Sequence, residues 1–351
     1  MRRRIRMKLN QLAGRLARLT VAGVFALAFW GSASAETLTV YTALEAEELE
    51  PLREGFRKEY PDIDITWVRD STGIITARML AEKDNPRADL FYGTSATSLL
   101  VIDELGLLVP YAPKGLERLD PRFRDPRNPP HWVGHDAYAA VICYNRPEAE
   151  KYKLPKPTSW KDLLDPVYNG HVVMPNPNSS GTGFLTVSAW MQIFGEDEAW
   201  KFMTGLHENI ARYTHSGSKP CRLAAAGEHP IGISFAFRGA SLKQKGAPLD
   251  LVIPEEGIGW EVEASGIIRT SKKIESAKKF MDWSISPAAM KIFNDYLPIL
   301  AIPELAQPVE HYPPETTKRM IENDFAWAAS NRKRILDEWQ KRFDAKSEPK
   351  S

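Results

Sequence analysis

TLTVYTALEAEELEPLREGFRKEYPDIDITWVRDSTGIITARMLAEKDNPRADLFYGT, running from Thr37 to Thr94, decides the fold. Thr37–Ala43 is a β-rich run that ends in a turn. In Glu45–Tyr60 the apolar residues Leu49, Leu52 and Phe56 recur at the spacing of one helix face. Acids crowd its first turn, where the helix dipole favours them. Pro61–Asp70 alternates as a strand does, Ser71-Thr72-Gly73 opens a second helix reaching Glu82, and Ala88–Thr94 is strand again. This β-α-β-α-β order predicts a parallel sheet with crossover helices.

Downstream, Pro-rich loops around Pro110–Pro130 precede Ala137–Asn145, an apolar run suited to a buried strand. A second α/β set follows. It comprises Gly170–Pro177, a helix over Gly183–Phe194, the segment Glu208–Thr214, a helix over Lys219–Ala226 and a strand over His229–Phe237. DLVIPEEG, WEVEASGIIR and a largely helical tail complete the chain. The last helix, Asp324–Phe343, offers Phe325, Ala328, Ala329, Ile335 and Trp339 for packing. No internal repeat or low-complexity stretch occurs. The expected architecture is α/β, with two lobes joined by a two-strand hinge and a ligand cleft between them. The crossings are placed at Tyr138–Asn145 outward and Ile233–Phe237 back. Lobe 1 is then 36–140 plus 238–351, and lobe 2 is 141–237.

Upstream, residues 1–35 carry Arg2, Arg3, Arg4, Arg6, Lys8, Arg15 and Arg18 and no acid. Leu19–Trp30 is apolar, and Ala33 and Ala35 have the small-residue spacing of a cleavage site. Twelve apolar residues fall short of the roughly 20 that a membrane span needs. Residues 1–35 therefore read as a cleavable export signal, by the Sec or the Tat route, and the mature chain as periplasmic. The whole chain of 351 residues has a charge of +1, with 43% hydrophobic residues, enough for two cores. The near-neutral total argues against a nucleic-acid binder. Without the signal, 39 basic residues face 45 acidic ones, a net charge of −6. Cys143 and Cys221 remain, as a disulfide or as two buried thiols.

Ligands of open α/β sheets sit beyond the carboxyl ends of the strands. Three such loops share one chemistry: Asp70–Gly73, Asn178–Gly183 and Thr214–Ser218. Glycine permits close approach, hydroxyls donate hydrogen bonds, and the amides at a helix start attract an anion. Ser71, Thr72, Gly73, Ser179, Ser180, Gly181, Thr182, Ser216 and Ser218 are thus the candidate oxyanion ligands. Read one loop at a time, the hydroxyls are better explained as helix caps worth about 1 kcal/mol each; three such loops at the cleft positions favour anion binding. A fourth and weaker candidate loop, Gly93-Thr94-Ser95-Ala96-Thr97, follows the Ala88–Thr94 strand and offers Ser95. For the other end of the ligand, Glu45 after the first strand could receive a cation, with Glu261 and Trp260 behind it. Thr42, Tyr138, Phe235 and Glu263 could wall the site. Nucleophile elbows, Walker loops and zinc motifs are absent, and no histidine pair has metal-ligand spacing. Neither a metal nor a cofactor is expected.

Six segments carry a family resemblance: LTVYTALEAEEL, WVRDSTGIITARMLAEKDNP, MPNPNSSGTGF, LHENIARYTHSGSKPC, AAAGEHPIGISF and NDFAWAASNRKRILDEWQKRF. Over residues 36–347 the chain resembles the periplasmic solute-binding proteins of ABC importers, and within them the 2-aminoethylphosphonate-binding proteins. The resemblance implies a type II periplasmic-binding fold, closure about a hinge, and delivery of an aminophosphonate to a permease in the inner membrane by a monomer. Related ferric binders use adjacent tyrosines, and no Tyr-Tyr pair occurs here. Polyamine binders need more acids in the cleft. Phosphate or another phosphonate is the same-class alternative. A secreted enzyme, with Ser216 beside His215, is an alternative of a different class, and a partner for a membrane sensor a third.

Overall fold

The computed structural model describes residues 35–349. The export signal read from residues 1–35 lies, but for Ala35, outside the described residues. From Thr37 onward the expected alternation is present. β1 (Glu36–Thr42), α1 (Ala46–Glu59), β2 (Ile63–Arg69), α2 (Thr72–Ala81), β3 (Leu90–Ser95) and α3 (Ala96–Glu104) follow one another. β1 and β3 pair in parallel, Val40 opposite Leu90 and Thr42 opposite Tyr92. α1 buries Leu52 and Phe56, and the Phe56 ring meets Phe280 edge-on at 4.9 Å.

The second set begins with β4 (Val133–Asn145), α4 (Arg146–Lys151), β5 (Val172–Pro175), α5 (Gly181–Phe194), α6 (Glu196–Asn209) and β6 (Ile210–Thr214). It continues with α7 (Lys219–Ala225), β7 (Ile231–Phe235), α8 (Ala236–Gln244), β8 (Leu249–Val252) and β9 (Trp260–Ile267). The helices α9 (Ile274–Ser284), α10 (Pro287–Asn294), α11 (Thr316–Arg319) and α12 (Phe325–Phe343) close the chain. The strands run β2-β1-β3-β9-β4-β7-β5-β6, with β8 also on β4.

β4 organises this sheet. Its first half, Val133–Ala139, pairs antiparallel with β9, and its second half, Ala140–Tyr144, pairs antiparallel with β7. Every residue of β4 is buried, which explains the unbroken apolar run read from Ala137. The strand starts earlier than that run because it also buries His135 and Asp136, which a hydropathy pattern does not flag. β5 lies in parallel between β6 and β7, as a second α/β set requires.

The return path differs from the expected one. Ile231–Phe235 stays paired with β4, and Ala236 and Phe237 already begin α8. β8 then pairs with Ile142–Asn145, at the distal end of β4. The chain rejoins the first set of strands at β9, by way of residues 253–259. α8 is held against β8 at Gly239, where an added Cβ would lie 3.3 Å from Cys143 Sγ and closer still to Leu251.

Two further features fix the second set. Cys143 and Cys221 form a disulfide with their Cα atoms 5.4 Å apart, settling what the sequence left open. It ties β4 to the first turn of α7, directly after the Thr214–Ser218 loop. α12 buries Ala328, Ala329, Ile335 and Trp339 as expected, and it also buries Arg332, whose guanidinium lies 4.1 Å from the Phe184 ring centroid. Among the described residues no helix is long and apolar enough to cross a membrane.

Candidate functional site

The carboxyl ends of β1, β2, β3, β5, β6 and β7 converge on one cavity of about 50 Å³. The first set of strands contributes Glu45 after β1, Arg69, Ser71 and Thr72 at β2, and Thr94 and Ser95 at β3. The second set contributes Ser180, Gly181 and Thr182 after β5, Ser216 and Gly217 after β6, and Phe235 with Phe237 at β7. Tyr138 of β4, Glu48 of α1, Glu263 of β9 and Leu297 complete the wall. This convergence follows from chain direction. Within each set the parallel strands end on one side, the two sets run toward each other along the two halves of β4, and each loop where they meet leads into a helix start.

The hydroxyls divide by what they already do. Ser71 is the N-cap of α2, yet its side chain makes no capping bond and is left to the cavity. Ser180 does cap α5, accepting from the Gly183 amide at 3.2 Å, and its own hydroxyl proton remains to be donated. Ser216 bonds Ser218 at 2.9 Å and lines the cavity. Ser95 bonds Ser98 at 2.8 Å and accepts from Thr97 at 3.2 Å.

The two sets of strands meet tightly over the cavity. The Gly73 amide donates to Ser179 O at 2.9 Å. An added Cβ at Gly181 would lie 2.6 Å from Thr72 Oγ1 and 3.0 Å from the Tyr138 hydroxyl oxygen. Arg238 of α8 reaches Glu45 at 3.0 Å and Glu47 at 2.7 Å, so an ion pair also spans the two sets. The C-terminal tail straps the second set's loops. Ser347 Oγ accepts from Asn176 Nδ2 at 2.9 Å, and Glu348 accepts from the His215 amide at 2.7 Å and pairs with Lys219.

Of the residues expected from sequence, Ser71, Thr72, Ser95, Ser180, Gly181, Thr182, Ser216, Glu45, Tyr138 and Phe235 line the cavity. Six do not, each for a visible reason. Gly73 turns its amide to Ser179, and Ser179 Oγ donates to His215 O at 3.0 Å. Ser218 is buried behind Ser216. Thr42 Oγ1 accepts from the Leu44 amide at 3.2 Å. Trp260 points to the far side, donating to Ile321 O at 2.8 Å and meeting Phe325 edge-on. Glu261 is fixed by Thr97 at 2.5 Å, with its carboxyl raised to about 7 by burial.

Glu45 lines the cavity but does not await a cation. Its carboxylate already faces Arg69 at 3.4 Å, Arg222 at 3.2 Å and Arg238 at 3.0 Å. The residues that sequence reasoning missed are Arg69 and Glu48 in the wall, with Arg222, Arg238 and Asp136 around it; Thr94 and Glu263, named as weaker candidates, do line the cavity. Some signals existed. Arg69 ends a strand just before the Asp70–Gly73 loop. Glu48 lies one helical turn beyond Glu45.

Glu48, Glu263 and Asp136 form a buried acidic group. Glu48 Oε2 accepts from the Glu45 amide at 2.8 Å, while Glu48 Oε1 and Glu263 Oε2 accept from no cation, amide or hydroxyl. Asp136 stands directly opposite Glu263 in the β4–β9 register. Burial, then the charge of neighbouring acids, pushes all three carboxyls well above their ordinary range. Elsewhere Asp103, Asp125 and His131 have metal-ligand spacing, but the Arg127 guanidinium sits 2.5 Å from each of the two aspartates.

Two sets of strands closed by loop contacts over a small polar cavity define a binding protein. The sequence profile of the bacterial extracellular solute-binding proteins matches residues 85–326, and the chain belongs to that family. The fold is the type II periplasmic-binding fold. The structure of the periplasmic binding protein AfuA from Actinobacillus pleuropneumoniae, with exogenous fructose-6-phosphate bound, is similar at a TM-score of 0.83 and 29% identity. The match covers 89% of this chain and 99% of that one. An uncharacterized protein of Haemophilus influenzae is 33% identical over 343 residues, 95% of this chain and 98% of that protein. A probable ABC transporter periplasmic-binding protein of Sinorhizobium fredii is 25% identical over 272 residues, 75% of this chain and 73% of its own length.

Proposed function

We propose that this chain is the periplasmic solute-binding component of an ABC importer, that it captures 2-aminoethylphosphonate by closure about a hinge, and that it delivers this ligand to the permease. The hinge would comprise β4 outward and residues 253–259 back. The observation that carries the oxyanion half of this reading is the donor set around the cavity. Ser71, Thr72, Ser180, Thr182 and Ser216 offer hydroxyls from both sets of strands, and Arg69 adds a guanidinium. The starts of α2 and α5 add helix-terminal amides. A tetrahedral anion with several oxygens can bridge such loops and so reward closure.

The small size of the cavity supports a small ligand. About 50 Å³ corresponds to roughly four water positions, closer to a two-carbon phosphonate than to a six-carbon sugar. The second reading, a sugar phosphate, is favoured by the fructose-6-phosphate bound to the AfuA relative. Ferric ion and polyamines have less support: no tyrosine pair lines the cavity, and arginines surround Glu45.

Calorimetry of the mature protein against 2-aminoethylphosphonate, ethylphosphonate, phosphate, fructose 6-phosphate and putrescine tests the assignment. Tight binding of 2-aminoethylphosphonate is expected. Preference for fructose 6-phosphate would replace it with the second reading, and tight binding of putrescine would remove the oxyanion altogether. Ser180→Ala and Thr72→Ala should each weaken binding by about 1–3 kcal/mol if their hydroxyls hold the anion. No loss at either position would return both loops to the role of ordinary helix starts.

A further inference from the structure

Resting on that reading of the anion end, we propose that Glu48 and Glu263, with Asp136 behind them, form an ammonium subsite in the cavity wall, so that the ligand is a zwitterion whose capture displaces a proton from the protein.

The geometry starts from unused acceptors. Glu48 Oε1, Glu263 Oε2 and Thr94 Oγ1 are buried atoms of residues lining the cavity, and none accepts from a cation, an amide or a hydroxyl; only Asp136, opposite Glu263, shares a proton with it. An ammonium carries three N–H donors and no acceptor, which matches three acceptors on one wall. Unpaired buried polar atoms are costly and rare in folded proteins, so three of them around one cavity ask for an occupant. The neighbouring arginines do not supply it. Arg69 and Arg222 pair with Glu45, and Arg238 pairs with Glu45 and Glu47. Among the described residues no lysine or arginine forms an ion pair with Glu48, Asp136 or Glu263. The cavity therefore has an electropositive side at Arg69 and an acidic side with no cation of its own.

The charge of the empty acidic group follows from its surroundings. Every neighbour that faces it is acidic or neutral: Glu45 and Glu47 from the start of α1, and the hydroxyls of Tyr92, Tyr138, Tyr296 and Tyr312. His135 adds no charge, because burial pushes it down to about 3. Burial and mutual repulsion thus raise all three carboxyls well above their ordinary range and so favour their protonated forms. An arriving ammonium supplies the missing positive charge, one carboxyl ionises against it, and its proton leaves to solvent. A sugar hydroxyl in the same place would accept from a neutral carboxyl and release nothing. Proton release consequently separates the two ligand classes.

The test titrates the mature protein with 2-aminoethylphosphonate and with ethylphosphonate, each in two buffers of different protonation enthalpy, from pH 6 to pH 8. Three results are expected. 2-Aminoethylphosphonate binds at least tenfold more tightly than ethylphosphonate. With each ligand's own phosphonate ionisation titrated separately and subtracted, it releases close to one proton that ethylphosphonate does not. Corrected in the same way to the dianionic phosphonate, the affinity ratio of the two ligands rises with pH, by up to about tenfold per unit. Glu48→Gln and, independently, Glu263→Gln should each collapse that ratio by about tenfold or more. Proton counting on the unaltered protein stands even if one variant folds poorly. Equal affinities, a ratio flat in pH, or no difference in proton release would overturn the subsite while leaving the oxyanion reading intact. Binding of none of the oxyanions would instead remove the oxyanion reading, and the subsite with it.

Discussion

Arg238→Met is expected to destabilise the mature protein by about 3–5 kcal/mol, the usual loss when one partner of a buried ion pair is removed. The Arg238 side chain is 3% exposed and joins α8 to the start of α1 through Glu45 and Glu47. Methionine replaces much of its stem but none of its charge. Glu45 would then keep only Arg69 and Arg222, whose side chains are 34% and 50% exposed and so more weakly held. The pH dependence has a definite sign. Burial pushes the Glu47 carboxyl up, but its own backbone amide and Arg238 outweigh burial and leave it below its ordinary range. A depressed carboxyl stabilises the folded state above its unfolded pKa, and that contribution fades as the pH falls through the folded value. The gap between Arg238→Met and the unaltered chain should therefore be full at pH 7 and should shrink below about pH 4. Urea denaturation at both pH values measures it, and a gap under about 1 kcal/mol at pH 7 would mean that the arginine is not holding the two sets of strands.

Gly73→Ala is expected to raise the dissociation constant about 100-fold, or roughly 3 kcal/mol, without loss of stability. An added Cβ would overlap Asn178 O and lie 2.8 Å from Ser179 C and O, all backbone atoms. Those atoms cannot step aside. The Asn178 amide is held by Asn176 Oδ1 at 2.8 Å, Asn176 by the C-terminal tail, and Ser179 Oγ by His215 O. The added methyl group would keep the two sets of strands apart. Within α2 itself, alanine is the better helix former by up to about 1 kcal/mol, so a thermal melt of the ligand-free protein should show no loss. Unchanged affinity in calorimetry would mean that the 2.9 Å approach of Gly73 to Ser179 is not needed for binding.

Local periodicity made much of this legible. The β-α-β-α-β opening, the second α/β set and the buried face of α12 follow from apolar spacing within single elements, which a chain displays without knowing its partners. The hydroxyl loops were legible for the same reason: a loop that ends a parallel strand and starts a helix must lie on the ligand side of the sheet. The return of the chain was not legible, because Ile233–Phe237 reads as a buried strand whichever strand it joins. Pairing with β4 put it in the second set, and the helix at Ala236 followed.

The charged half of the site shows the same division. By itself the sequence determined an α/β chain of two sets of strands, with hydroxyls and glycines gathered where the strands end. Only the tertiary structure decided which charges meet. It surrounded Glu45 with arginines drawn from β2, α7 and α8, although Glu45 had looked free to take a cation. It brought buried Glu48 and Asp136 together with Glu263 on the wall of the cavity. The physical reason is range. Helix and strand patterns depend on neighbours within a few residues, whereas the charge a carboxyl feels depends on burial and on groups that the fold brings from far along the chain.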